Sequence, residues 1–240
     1  MNVRFFPAGD AGLVVEFGDR IERELSERVL HLNALVREAK IPGVVETVPT
    51  YRSLLVLYDP MIIDNARLIS ATEELLGIDG RELKPAKSWR IPACYEIEYA
   101  VDLAEVAGRT GHSVEEIVQL HASTLFHVYM IGFAPGHPYM GDLPDWIAVP
   151  RRTDPRVKVP AGSIAISGNI SVIYPIESPG GWHLIGATPI RLFDLRFDPP
   201  SLLSPGDKVR FHPITASEFN QIRAAVQADT YHVAWEPMPL

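Results

Sequence analysis

Residues 132–186 read GFAPGHPYMGDLPDWIAVPRRTDPRVKVPAGSIAISGNISVIYPIESPGGWHLIG, and this stretch decides the fold. Proline fixes φ and removes a backbone donor, while glycine opens the left-handed region. Pro135-Gly136, Gly141, Pro144, Pro160-Ala161-Gly162 and Pro179-Gly180-Gly181 therefore dictate a succession of turns. Between those turns, residues 163–167 and 171–174 are rich in β-branched side chains, which predicts short strands of a closed or nearly closed all-β unit. Side chains able to meet a ligand, namely Tyr139, Arg151, Arg152, Arg156, Ser163, Tyr174 and Trp182, fall at or near the turns. Rigid loops on a β scaffold commonly carry function.

Upstream, residues 89–95 read as a strand, followed by a helix whose start is marked by the capping box Ser113-Val114-Glu115-Glu116. Val114, Ile117, Val118 and His121 share one face of that helix, so the imidazole is expected to point inward. Further strands are predicted over 128–131, 192–195 and 208–212, and a last helix over 216–227. The N-terminal part alternates signals differently. Strands are expected over 4–8 and 12–17 around Gly9-Asp10, and again over 44–48 and 53–58. Helices are expected over 21–39, where Ile21, Leu25, Val29, Leu32 and Val36 recur at three- and four-residue steps, and over 65–76 before Gly77. Residues 79–87 are polar and include Gly80 and Pro85, which makes them the expected linker between an α+β domain at 1–86 and a barrel domain at 87–240.

The 240 residues are 47% hydrophobic and carry a net charge of −8, so the chain can bury a substantial core but offers no basic face for nucleic acid. No apolar run spans a bilayer and the N-terminus lacks a secretory core, which points to the cytoplasm and to no membrane partner. Cys94 is the sole cysteine; no internal disulfide can form, and its strand-like setting predicts a small buried hydrophobe.

Several chemistries are excluded by pattern. The chain has no GxxxxGK[ST] phosphate loop, no GxGxxG after a strand, no HExxH, no CxxC and no GxSxG elbow, so neither a metal site nor a self-contained hydrolytic triad is expected. What remains is a pocket for an anion or amide. Arg152 and Arg156 can present guanidinium forks to a carboxylate or phosphate, although Pro155 breaks any regular spacing that would set them on one face. His121 reads either as a core histidine or as a site residue. Trp182, Tyr139 and Tyr174 read either as core or as pocket walls, and Ser163 either caps a turn or faces the ligand.

The ordered motifs at 132–144, 150–168 and 174–189 resemble the family that contains the B component of 5-oxoprolinase, allophanate hydrolase subunit 1 and the sporulation-kinase inhibitor, of carboxyltransferase subdomain C and D type. The N-terminal part is similar too, through Gly9-Asp10-Ala11, Phe17-Gly18-Asp19 and the run from Pro42-Gly43 to Tyr58-Asp59-Pro60. The resemblance implies a small ferredoxin-like domain followed by a cyclophilin-like β-barrel. It implies the B component of an ATP-dependent 5-oxoprolinase, a hydrolase opening 5-oxoproline to glutamate. Such a component is active only with a second carboxyltransferase-like subunit and a lactam-utilisation-type third subunit, and the ATP is used by the assembled complex. The alternatives it leaves open are the carboxyltransferase half of an allophanate hydrolase or urea carboxylase, and a module that binds a histidine kinase. Substrate contacts are expected from His121, Tyr139, Arg152, Arg156, Ser163, Tyr174 and Trp182. His137 stands where the family has an aromatic, and Ile170, Ser171 and Val172 stand where it has Gln-Thr-Gly.

Overall fold

Gly9, at φ +64°, turns the chain between β1 (Arg4–Pro7) and β2 (Gly12–Glu16) and begins the first sheet of the computed structural model, which describes residues 3–78 and 86–237. The chain divides into two units, 1–85 and 86–240. In the first, α1 (Arg23–Ala39), β3 (Val44–Pro49), β4 (Ser53–Tyr58) and α2 (Asn65–Leu76) follow the hairpin. The sheet runs β1-β2-β4-β3, antiparallel throughout.

The apolar stripe of α1 closes one face of that sheet, because Leu25, Val29, Leu32 and Val36 pack with Leu13, Val15, Leu54 and Val56. Each fully buried side chain of this kind contributes about 1.5–3 kcal/mol. The helix begins two residues after Ile21, since Glu22 is extended and Ile21 is left exposed. Asp64 caps α2 by accepting from the Arg67 amide at 2.8 Å. The element order, ββαββα, is not the βαββαβ of a ferredoxin-like domain. The physical reason is the turn at Gly9-Asp10, which pairs the edge strand β1 with β2 ahead of α1 along the chain.

The second unit opens with β5 (Lys87–Cys94), α3 (Leu103–Thr110), α4 (Val114–Ser123), β6 (Phe126–Ile131) and β7 (Pro138–Gly141). It continues through β8 (Arg156–Val159), β9 (Ser163–Ser167), β10 (Ile170–Ile173), β11 (Ser178–Gly180) and β12 (His183–Ala187). It ends with β13 (Lys208–Ile214), α5 (Ala216–Gln227) and β14 (Ala234–Pro237). The order β12-β9-β10-β7-β6-β13-β5 closes on itself where Cys94 of β5 pairs with Ala187 of β12, and β14 adds outside on β5. The fold is therefore α+β with a closed barrel of seven strands, and closure removes the sheet edges that would otherwise template pairing.

Alternation along each strand fills the barrel. Ile91, Phe126, Val128, Met140, Ile164, Ile166, Ile173, Ile185, Val209 and Phe211 form one buried cluster. The capping box predicted at Ser113 and Glu116 is present at 2.8 and 3.2 Å. Cys94 is fully buried and burial pushes its thiol upward. Two expectations change. Residues 192–195 form no strand, because Leu195 points out at 82% exposure and Phe193 makes a single isolated bridge to Ser201. The helix α3 was not expected, although Leu103, Val106 and Ala107 carry its buried face and Gly111, at φ +73°, ends it. Of the expected linker, residues 79–85 lie outside the described residues, and Lys87 already belongs to β5.

Candidate functional site

Four strands align a row of side chains on the face opposite the core, of which Tyr139 is half-buried and Val172, Ala165 and Leu184 are buried. Tyr139 pairs with Val172, Val172 with Ala165, and Ala165 with Leu184, while their neighbours Met140, Ile173, Ile164 and Ile185 point into the barrel. Beside this row, β8 and β11 form a two-stranded ribbon of their own. Gly180 of that ribbon sits so close to Tyr174 that an added Cβ would lie 2.3 Å from the phenol oxygen, which explains glycine at this position. Arg152, just before the ribbon, donates its backbone N–H to Gly181 O at 2.8 Å.

The two arginines converge. Arg152 Nη1 donates to Asp102 Oδ1 at 3.2 Å and to Glu105 Oε2 at 3.1 Å, and Arg156 Nη2 donates to the same Asp102 Oδ1 at 2.6 Å. Glu105 also accepts from Arg109 Nε at 2.9 Å. Three guanidinium groups thus share two carboxylates, which leaves an excess of positive charge. Arg151 adds to it, having no acidic partner among the described residues and lying 5.6 Å over the Trp182 ring. Arg152 Nε and Arg156 Nη1 are buried with no hydrogen-bond partner. Of the six such atoms among the described residues, five belong to this region of the sequence: these two, His137 Nδ1, Ser178 Oγ and His183 Nδ1. Buried donors and acceptors are ordinarily satisfied, so their concentration here singles this region out as the candidate site.

Aromatic rings flank the arginines. Tyr139 stands edge-on to Trp182 at 6.1 Å, and His137 contacts Tyr139 at 5.0 Å and Tyr174 at 5.2 Å. Burial pushes the Tyr174 phenol up to about 12 and the His137 imidazole down to about 4, so both are neutral near pH 7. His183 Nε2 lies 3.0 Å from the Pro150 carbonyl, which only accepts, so in the neutral ring Nδ1 is an acceptor. A cleft of about 610 Å³ is lined in part by Arg156, Lys158, Ser163, Leu184, Arg191 and Arg223.

The structure brings Arg156 and Ser163 to one cleft, and gathers Tyr139, Tyr174 and Trp182 around Arg151. His121 lies apart. It is fully buried on α4, with Nδ1 2.8 Å from the Tyr95 hydroxyl and Nε2 3.0 Å from Ser171 Oγ, and it stacks on Phe211 at 4.6 Å. Burial lowers its pKa to about 3 and raises that of Tyr95. Sequence reading missed Asp102 and Glu105, whose only signal was an acidic start to an unrecognised helix. Among the described residues no cluster of three or more His, Cys, Asp or Glu is placed to hold a metal, and no helix is long and apolar enough to cross a membrane.

Residues 3–203 match the carboxyltransferase domain family, subdomain C and D, and the chain belongs to that family. It is 36% identical over 223 residues to the B component of 5-oxoprolinase from Bacillus subtilis, covering 88% of this chain and 93% of that one. The Escherichia coli O157:H7 counterpart, also a 5-oxoprolinase B component, is 36% identical as well, over 88% of this chain and 96% of its own length. Among solved structures, TTHA0988 superposes with a TM-score of 0.76 at 35% identity over 85% of this chain, which spans 40% of that protein. The urea amidolyase of Kluyveromyces lactis superposes at 0.81 with 22% identity, covering 98% of this chain and 16% of that one, a likeness of fold alone.

Proposed function

We propose that this family member is the B component of an ATP-dependent 5-oxoprolinase, which opens 5-oxoproline to glutamate only when joined to a second carboxyltransferase-like subunit and a lactam-utilisation-type third subunit. The observation that carries the reading is the likeness to the Bacillus subtilis 5-oxoprolinase component across nearly all of both chains. The site geometry agrees with it. A lactam acid carries one carboxylate on a small ring. The unspent donors Arg152 Nε and Arg156 Nη1 suit the carboxylate, and Tyr139, Tyr174 and Trp182 suit the ring. Tyr174, held protonated by burial, serves as a hydrogen-bond donor, and Ser163 lines the cleft beside Arg156. His121 supports the barrel from within and does not touch the ligand. This chain supplies no phosphate loop, so ATP use belongs to the assembly.

The same reading takes the barrel as cyclophilin-like, with α4 and α5 packed on its strands, and takes 1–86 and 87–240 as separate domains. The test is reconstitution. The three subunits together are expected to hydrolyse ATP only when 5-oxoproline is present, and this chain alone to turn over nothing. Turnover by the isolated chain, or an assembly blind to 5-oxoproline, contradicts the proposal. An assembly that instead carboxylates urea, or capture of a histidine kinase with no turnover, would move the assignment to the corresponding relative.

A further inference from the structure

We propose that Asp102 is the positioning residue of this site: it fixes Arg152 and Arg156 so that Arg152 Nε and Arg156 Nη1 are presented together to a ligand carboxylate. The inference rests on the functional reading for the identity of that ligand, and on geometry for the rest. Asp102 is 3% exposed and occupies the N-cap position of α3, where an aspartate side chain ordinarily accepts from the helix's first amides. Here it makes no cap bond. Its oxygens are committed elsewhere: Oδ2 accepts the Leu184 amide at 2.7 Å, and Oδ1 accepts both guanidinium groups at 3.2 and 2.6 Å.

The backbone completes the strut. The Asp102 N–H donates to Leu184 O at 2.9 Å, so main chain and side chain together staple this residue to β12 of the barrel. Two arginines that follow Asp102 by 50 and 54 residues are thereby referred to one rigid point. A guanidinium group is planar, so the directions of its remaining N–H groups are set once one terminal nitrogen is bound. Of the nitrogens not used by Asp102, Arg152 Nε and Arg156 Nη1 are buried without a hydrogen-bond partner.

A carboxylate beside two arginines could instead serve only to neutralise them. The two roles predict opposite signs. Removing a neutralising charge strengthens attraction for an anion, whereas removing a positioning group weakens it because Arg156 loses its carboxylate anchor and Arg152 keeps only Glu105. Asp102→Asn separates them, since its amide oxygen can still accept from Leu184 while its NH₂ offers the arginines no acceptor. In the reconstituted assembly we expect the KM for 5-oxoproline to rise about ten-fold or more with kcat nearly unchanged, as fits the loss of an oriented charged hydrogen bond. Placed on an Arg152→Ala/Arg156→Ala background, Asp102→Asn should add less than about two-fold, because a residue acting through others is non-additive with them.

A KM that is unchanged or lowered, or penalties that add in full, overturns the inference. Asp102→Ser, which keeps a smaller acceptor for the Leu184 amide, gives the same reading should the asparagine variant fail to assemble. An assembly inactive toward 5-oxoproline would defeat the functional reading alone, so the positioning role is also read without turnover. In heteronuclear NMR of the full chain, the Arg152 and Arg156 Nε–H signals should be dispersed in the wild type and collapse to the mobile-arginine position in Asp102→Asn. Signals that stay dispersed in the variant contradict the role.

Discussion

His121 and the Arg152–Arg156 pair are both buried or partly buried polar groups of the same barrel unit, yet their hydrogen-bond accounts differ. The histidine spends both ring nitrogens, on Tyr95 and on Ser171, and is enclosed by Phe126 and Phe211. Each arginine spends part of its fork on Asp102 and leaves a buried nitrogen unspent. A satisfied buried network stiffens a core, whereas an unsatisfied one is stable only where something else completes it. On the proposed function, the contrast predicts that His121 serves stability and the arginines serve ligand binding.

The largest effect should come from the histidine. His121→Ala opens a cavity among aromatic rings and strands the Tyr95 and Ser171 hydroxyls, which is expected to cost about 3 kcal/mol of stability. Thermal unfolding should show it, with the KM of the folded assembly unchanged; a raised KM with an intact melting temperature would break the contrast. The same residue sets an acid limit. Its pKa falls from 6.5 to about 3 on folding, so below pH 6.5 the unfolded chain takes up a proton that the folded chain refuses. Stability should therefore decline by about 2 kcal/mol between pH 6.5 and pH 5 through this group. His121→Gln should be less stable at pH 7 but flatter in this window, and an equally steep profile would place the titration elsewhere.

Arg156→Ala acts on the other side of the contrast. It should weaken 5-oxoproline binding by roughly ten- to hundred-fold while shifting the melting temperature little, and Arg156→Lys should not restore binding because an ammonium lacks the planar fork. Equal affinity in the alanine variant would make the arginine a structural strut. The smallest effect is expected at Arg151. Its cation–π contact with Trp182 is worth about 0.5–1 kcal/mol, so Arg151→Ala should change affinity by roughly two- to five-fold.

Most elements were legible because local signals dictated them. The capping box at Ser113 and the glycine after Leu76 set helix ends, and the β-branched runs of β9 and β10 set strands. A closed or nearly closed β unit was expected from turns that keep short strands adjacent. Where signals were long-range the reading stopped. Asp102 meets the arginines across 50 and 54 residues, and no periodicity in α3 announces a carboxylate that abandons its helix cap for a strand amide. Residues 192–195 had a strand's composition, but no neighbouring strand offered them a ladder. The order of the N-terminal unit was readable element by element, while its ferredoxin-like label came from resemblance and does not match the hairpin at Gly9-Asp10.

The central claim is that the unspent nitrogens of Arg152 and Arg156 receive the ligand carboxylate. A crystal structure of the three-subunit assembly with 5-oxoproline tests it most directly. The account predicts carboxylate oxygens within hydrogen-bonding distance of Arg152 Nε and Arg156 Nη1, both forks still held by Asp102, and the lactam ring against the Tyr139 and Trp182 side chains. A lactam bound elsewhere, with those two nitrogens taken up by a partner subunit, would contradict it.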